Sequence, residues 1–330
     1  MNSPFPKSSS SPGEGRIVAK LLPEGISGLE VFSYQYPLKL ISPSRPSETK
    51  SVLVFLLSYG GGLVAGDNVK LEVDLLANAK LTIVTQGHTK VFNSVTPDIV
   101  TRQTMHVNIA SGAAFCLLPD PVQPFAGSVY EQTQIFKLHQ DASICLLDWV
   151  TQGRTARGEN WSFVRWTGRN ELWSIGDGSQ TTRDRLLVRD AVILGSNKAH
   201  PQLPALQESM HGMGVIGTML LRGPLMKTLG EFFLSEFAAL PRLGARDFRS
   251  DAAKNAAPVE RSRRERWRIE RLGMEKDKTI LWSAANVRGC VVVKFGSPSV
   301  EAGRLWIGSM LQEEGSIAES FGDHALMCVR

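Results

Sequence analysis

Residues 68–75 alternate strictly. Val69, Leu71, Val73 and Leu75 are apolar, and Asn68, Lys70, Glu72 and Asp74 are polar. This period of two predicts a half-buried strand. Residues 51–57, SVLVFLL, form a continuous apolar run closed by glycines, which predicts a buried strand. The stretch YGGGLVAGD between them therefore joins strand to strand. Further strands are expected at 214–221 and 291–295. A helix is expected over 225–240, with Leu225, Leu229, Phe232, Phe233, Phe237 and Leu240 on its apolar face. Ser297 and Pro298 supply a capping hydroxyl and a first-turn proline for a second helix, to about Gln312. Its predicted face is Ala302, Leu305, Trp306 and Met310.

The pattern also repeats. VDLLANAKLTIVTQ starts at Val73, VNIASGAAFCLLPD at Val107 and FKLHQDASICLLDW at Phe136. In each copy two apolar positions precede a turn-like pair: Ala77-Asn78, Ser111-Gly112 or Gln140-Asp141. A small residue and a second apolar run follow. Units of roughly 30 residues, each a bent pair of strands, bury a shared core by stacking. The expected fold is mainly β (α+β), a stacked, β-helix-like arrangement with two helices in the C-terminal half. In that register Thr85, Pro119 and Asp148 are equivalent. They open the segments TQGHTKVF, PDPVQPF and DWVTQGR, which are expected side by side on one edge, the candidate functional surface.

Composition narrows the class. The 42% hydrophobic content fills a core, so a single domain is expected over 16–330. A Ser-, Pro- and Gly-rich stretch, 1–15, reads as a disordered lead without the apolar region of a signal peptide. No run is long and apolar enough to span a membrane. The four cysteines, Cys116, Cys145, Cys290 and Cys328, are scattered and read as buried thiols in a reducing, cytoplasmic setting. Net charge is +5, and residues 242–278 hold 12 Lys and Arg against 7 Asp and Glu, the whole excess. Acids and bases interleave there, as on a solvated helix or an exposed basic insertion at about 245–278. A protein-facing surface is the alternative, and nucleic acid is disfavoured.

Several chemistries fail at the residue level. A P-loop needs Lys after its last glycine, and Gly66 is followed by Asp67. Gly60, Gly62 and Gly66 are one residue too far apart for a dinucleotide fingerprint, and both motifs open a helix rather than a strand. The glycines, Gly61 included, read instead as a bend needing positive φ and close packing. No nucleophile elbow or HExxH occurs. Asp148 and Glu159 could act as a paired acid and base, or each could bond to Arg154 or Arg157 of GRTARGE. The six histidines lack the spacing of a preformed zinc or nickel site. His88 is the best single candidate for transient metal contact, against the reading of a hydrogen-bonding surface histidine.

YGGGLVAGD (59–67), TQGHTKVF (85–92), PDPVQPF (119–125) and DWVTQGRTARGENW (148–161), in this order and followed by ILWSAANVRG from Ile280, resemble the UreD (UreH) family of urease accessory proteins. The Ser/Pro-rich start and the Arg-rich stretch depart from compact bacterial members and resemble a eukaryotic, fungal form. The resemblance implies a non-enzymatic maturation protein that joins UreF and the GTPase UreG on the urease apoprotein and assists Ni2+ delivery. Ni2+ is then transferred cargo, with no cofactor of the chain's own. It also implies a β-helical stack with two helices, and motif residues Gly60, Gly61, Gly62, Gly66, Thr85, Gln86, Thr89, Lys90, Pro119, Asp120, Phe125, Gly153, Arg154, Arg157, Gly158 and Trp161. A conduit for nickel would bind it weakly at several points, and Asp67, His88, Asp148 and Glu159 are the candidates for lining or gating it. The rival expectation is a β-helix enzyme acting on polysaccharide with acids on a stacked edge, which would turn over substrate alone.

Overall fold

A computed structural model describes residues 11–43, 50–176, 183–195, 205–240 and 262–330. The chain passes back and forth between two sheets. One has seven strands: β1 (Glu14–Leu21), β2 (Ser27–Tyr34), β5 (Asn68–Leu75), β8 (Thr101–Ile109), β11 (Val129–Leu138), β13 (Arg165–Ser174) and β14 (Arg185–Gly195), in the order β14-β13-β11-β8-β5-β1-β2. The other contains β3 (Leu38–Ile41), β4 (Val52–Ser58), β6 (Lys80–Val84), β9 (Ala114–Leu117), β12 (Ser143–Thr151), β15 (Val215–Arg222), β16 (Leu281–Val287) and β17 (Cys290–Ser297), in the order β16-β17-β15-β12-β9-β6-β4-β3. Two short strands, β7 (Thr89–Val91) and β10 (Val122–Pro124), join it beside β12.

The predicted repeat is the register of this coil. Val73 pairs with Val107 and Val107 with Phe136. In the second sheet Leu81 pairs with Phe115 and Phe115 with Ile144. These interior pairings are parallel, and each sheet ends at both sides in antiparallel ones: β1 with β2, β13 with β14, β3 with β4, β12 with β15. The alternating strand β5 buries Val69, Leu71, Val73 and Leu75. They join Phe115, Phe136 and Leu146 in a core between the sheets.

A second core lies between the larger sheet and the helices. Five α-helices are described: α1 (Leu206–Ser209), α2 (Lys227–Ala238), α3 (Arg263–Asp277), α4 (Val300–Glu314) and α5 (Ser316–Phe321). The two expected helices are α2 and α4; α3 lies in the Arg-rich stretch read as a solvated helix or an exposed insertion, and α1 and α5 were not foreseen. In α2, Leu229, Phe232 and Phe233 are buried, so its apolar face is core. The cap of α4 is Ser299, whose hydroxyl accepts from the Ala302 amide at 3.1 Å, rather than Ser297. Leu305 turns outward at 45% exposure, while Ile307 and Leu311 fill the face beside Trp306 and Met310.

The stretch expected as an exposed basic insertion is described only from Ser262. There it is a helix with one packed side. Ser262 and Glu265 form a capping box. Buried Glu236 of α2 accepts from Arg264, Arg268 and Arg271, and Arg271, 1% exposed, also bonds Glu275. Most of the lead, 1–10, lies outside the described residues, but β1 begins at Glu14, inside it. All four cysteines are buried and unpaired. No helix of the described residues is long and apolar enough to cross a membrane.

Candidate functional site

The four motif segments meet in one strip at a corner of the coil. The Leu63 amide donates to the Lys90 carbonyl, and the Phe92 amide donates to Leu63. Val91 pairs with Pro124, and Val122 pairs with both Thr89 and Val150. The Gln123 amide group reaches the Gly153 carbonyl at 3.3 Å. The glycine loop is what lets the first segment join. Gly60, Gly61 and Gly66 have φ of 71°, 74° and 88°. Gly62 is extended, but a Cβ there would lie 2.6 Å from the Phe92 ring. Asp67 caps this bend, its carboxylate accepting from the Val64 amide at 2.7 Å. At the other end of the strip Glu159 is enclosed. It accepts from the Arg154 amide at 2.8 Å and from the Arg154 guanidinium, which lies 3.8 Å over the Phe125 ring. Burial opposes its charge, but the Arg154 guanidinium and the Arg154 and Ala126 amides outweigh it and hold the carboxyl below the usual range. Gly158 closes the turn 155–157 in the left-handed region, and the Trp161 indole donates to the Met213 carbonyl at 2.8 Å. Gln86, Lys90 and Arg157 are exposed.

Asp120 organises the middle of the strip. Its carboxylate accepts from the Thr85 hydroxyl at 3.1 Å, the Gly87 amide at 2.9 Å and Arg304 of α4 at 2.7 Å. The Thr85 hydroxyl in turn accepts from the Asp120 amide at 2.7 Å. His88 sits half-buried nearby. Burial lowers its pKa, Arg304 and Lys90 add to that, and Asp120 and Gln123 oppose it. A neutral imidazole keeps a lone pair available to a cation.

Asp148 is buried as well. It spans the gap between the sheets, accepting from Gln132 of β11 at 2.9 Å and from Asn170 of β13 at 2.7 Å. Burial raises its carboxyl above the usual range, with Asp190 adding to this and Asn170, Gln132 and Lys294 opposing it. On one side is a small interior cavity of about 30 Å3, room for one or two waters, edged by Thr85, Thr89, Gln103, Asp120 and Gln134. The Gln134 carbonyl oxygen is buried without a partner. On the other side is a cavity of about 450 Å3 at the open end of the sandwich, between β14 and β16. Trp149, Trp166, Ile216 and Phe295 line it, with the Asp190–Lys294 ion pair at its polar part. Asp148 and Trp149 border both cavities.

Of the four acids and histidines singled out in the sequence, Asp148 is the one that borders these two cavities. Asp67 and Glu159 hold turns, and His88 stands beside Asp120. Among the described residues no three His, Cys, Asp or Glu side chains converge as a metal site. Gln132, Asn170, Asp190, Lys294 and Arg304 were missed. A signal existed for the first: β11 buries alternate residues Tyr130, Gln132, Gln134, Phe136 and Leu138, so two glutamines occupy inward positions. Arg304 had none, because its partner is remote in sequence.

The chain matches the sequence model of the family described as "UreD urease accessory protein" over residues 12–327. A Schizosaccharomyces pombe protein described as "Uncharacterized urease accessory protein ureD-like" is 30% identical over 308 residues, 93% of this chain and 96% of that protein. "Urease accessory protein D" of Arabidopsis thaliana is 31% identical over 217 residues, 65% of this chain and 69% of that protein. "Urease accessory protein 4" of Cryptococcus neoformans is 38% identical over 219 residues, 59% of this chain and 65% of that protein.

Proposed function

Because the chain belongs to the UreD urease accessory protein family, we propose that it serves urease maturation without turnover of its own, joining UreF and the GTPase UreG on the urease apoprotein, and that Ni2+ passes through its interior by way of Asp148. The observation behind the route is the position of that carboxylate, bordering the inner polar cavity on one side and the open cavity on the other. A passing cation must find donors that hold it briefly. One buried carboxylate, flanked by amide oxygens and threonine hydroxyls, supplies charge without the converging ligands that would trap the metal. The raised carboxyl can take up a proton when the cation leaves, so the interior is not left with an uncompensated charge.

Asp148→Asn tests the proposal. The variant is expressed in cells lacking the native protein, and three things are measured: urease activity, nickel per purified urease, and retention of UreF, UreG and urease on the tagged chain. Lost activity and nickel with a retained complex is the expected result. Wild-type nickel loading would discard the route, and a tagged chain that never retains urease would discard the partner assignment.

A further inference from the structure

The helices pack on the larger sheet, and the outer face of the seven-stranded sheet displays its side chains outward. Two Arg–Glu–Arg bridges cross half of it. Glu131 of β11 accepts from Arg102 of β8 at 3.1 Å and from Arg165 of β13 at 2.7 Å. Glu171 of β13 accepts from Arg169 at 2.7 Å and Arg189 of β14 at 2.6 Å, and its other oxygen takes the Trp173 indole at 2.8 Å. Glu171 is covered, at 2% side-chain exposure, while the four arginines are 44–52% exposed. Each guanidinium has five N–H donors, more than the shared carboxylates take up. Glu171 is therefore hidden and Glu131 partly covered, while the bases are displayed. Ile193 of β14 lies on the same face at 72% exposure. The opposite half is balanced, with Arg16 against Asp74 and Lys20 against Glu30, and at its border Glu72 of β5 stands against His106 of β8.

We infer that the β8–β14 half of this face docks a protein surface that presents carboxylates around an apolar centre. Guanidinium forks match carboxylates bidentately, and Arg and Trp around an exposed aliphatic residue is the composition of a contact centre. A polyphosphate fits less well, because exposed Ile193 would meet nothing apolar. Four strands at ~4.8 Å spacing and ~30 Å of length give roughly 500 Å2, the scale of a transient, salt-sensitive contact. The inference is independent of the route through Asp148.

The test is a fluorescence-anisotropy titration of a labelled glutamate-rich peptide with interspersed leucines onto the full chain, alongside a single-stranded oligonucleotide of equal charge. Two variants are compared with wild type, each checked for an unchanged thermal melt. Arg169→Gln with Arg189→Gln removes charge but keeps hydrogen-bond donors for Glu171; Ile193→Asp touches neither bridge. Lys227→Glu, at an exposed side chain of α2, is the control for net charge. Peptide binding that weakens with salt, falls about tenfold in both variants (about 1.4 kcal/mol) and is unchanged in the control is the expected result. No peptide binding overturns the inference, as does equal weakening in the control. Tighter competition by the oligonucleotide would reassign the face to nucleic acid.

Discussion

Arg304 and Asp120 stand 184 positions apart and meet at 2.7 Å. Their pair pins α4 to the motif strip, because the other Asp120 oxygen holds Thr85 and Gly87. Arg304→Met keeps the stem and removes the donor, leaving a nearly buried carboxylate short of its cation. We expect a loss of about 1–3 kcal/mol in urea unfolding and faster amide exchange across residues 85–92. Unchanged exchange there would show that the pair does not brace the strip.

Asp148 sets a pH dependence. Its native carboxyl keeps the proton to higher pH than in the unfolded chain, chiefly through burial. Between the two values the native state binds more protons, so stability falls as pH rises from about 4, the ordinary aspartate value. Asp148→Asn removes that slope. Asn170 has a free carbonyl oxygen that can take the new amide after a flip. The variant should keep its fold, equal or exceed wild-type stability at neutral pH, and show a flatter melting profile above pH 4. A profile parallel to wild type would assign the slope to another group.

The glycine bend should discriminate between two neighbouring substitutions. Gly62→Ala places a methyl against Phe92 and Lys90 and should cost about 1–3 kcal/mol. Gly60→Asn meets open space, and asparagine tolerates left-handed backbone, so its melt should stay close to that of wild type. Equal effects would mean that the bend is soft.

Glu236 is the anchor of α3. Glu236→Ala removes one of the two carboxylates that hold buried Arg271, leaving Glu275, and should cost about 1.5–3 kcal/mol. Arg264→Ala, at an exposed partner, should cost less than about 1 kcal/mol. Paired chemical denaturation curves measure the contrast.

Much of the coil was legible because it depends on local period. Alternation marked β5, and the 34- and 29-residue spacings of the repeat predicted the ladder from Val73 to Phe136. The motif strip followed from the same register. What could not be read depends on contacts remote in sequence. The charges of 263–271 look solvated until Glu236 of α2 is placed beneath them, and Asp148 gains meaning only with Gln132 and Asn170 of the opposite sheet. Ser297 preceding a proline looked like a cap, but the helix starts later, where Ser299 reaches the Ala302 amide.

A stack of like turns has no intrinsic last member; any parallel edge invites another strand. Here the chain reverses at both ends of both sheets, and each reversal replaces the repeating edge with a different one. The stack is thereby made finite, and it can be lengthened only by whole turns, each adding ~4.8 Å. The protein is a ruler of fixed length, and the distance between anything held at its two ends is set by the number of turns.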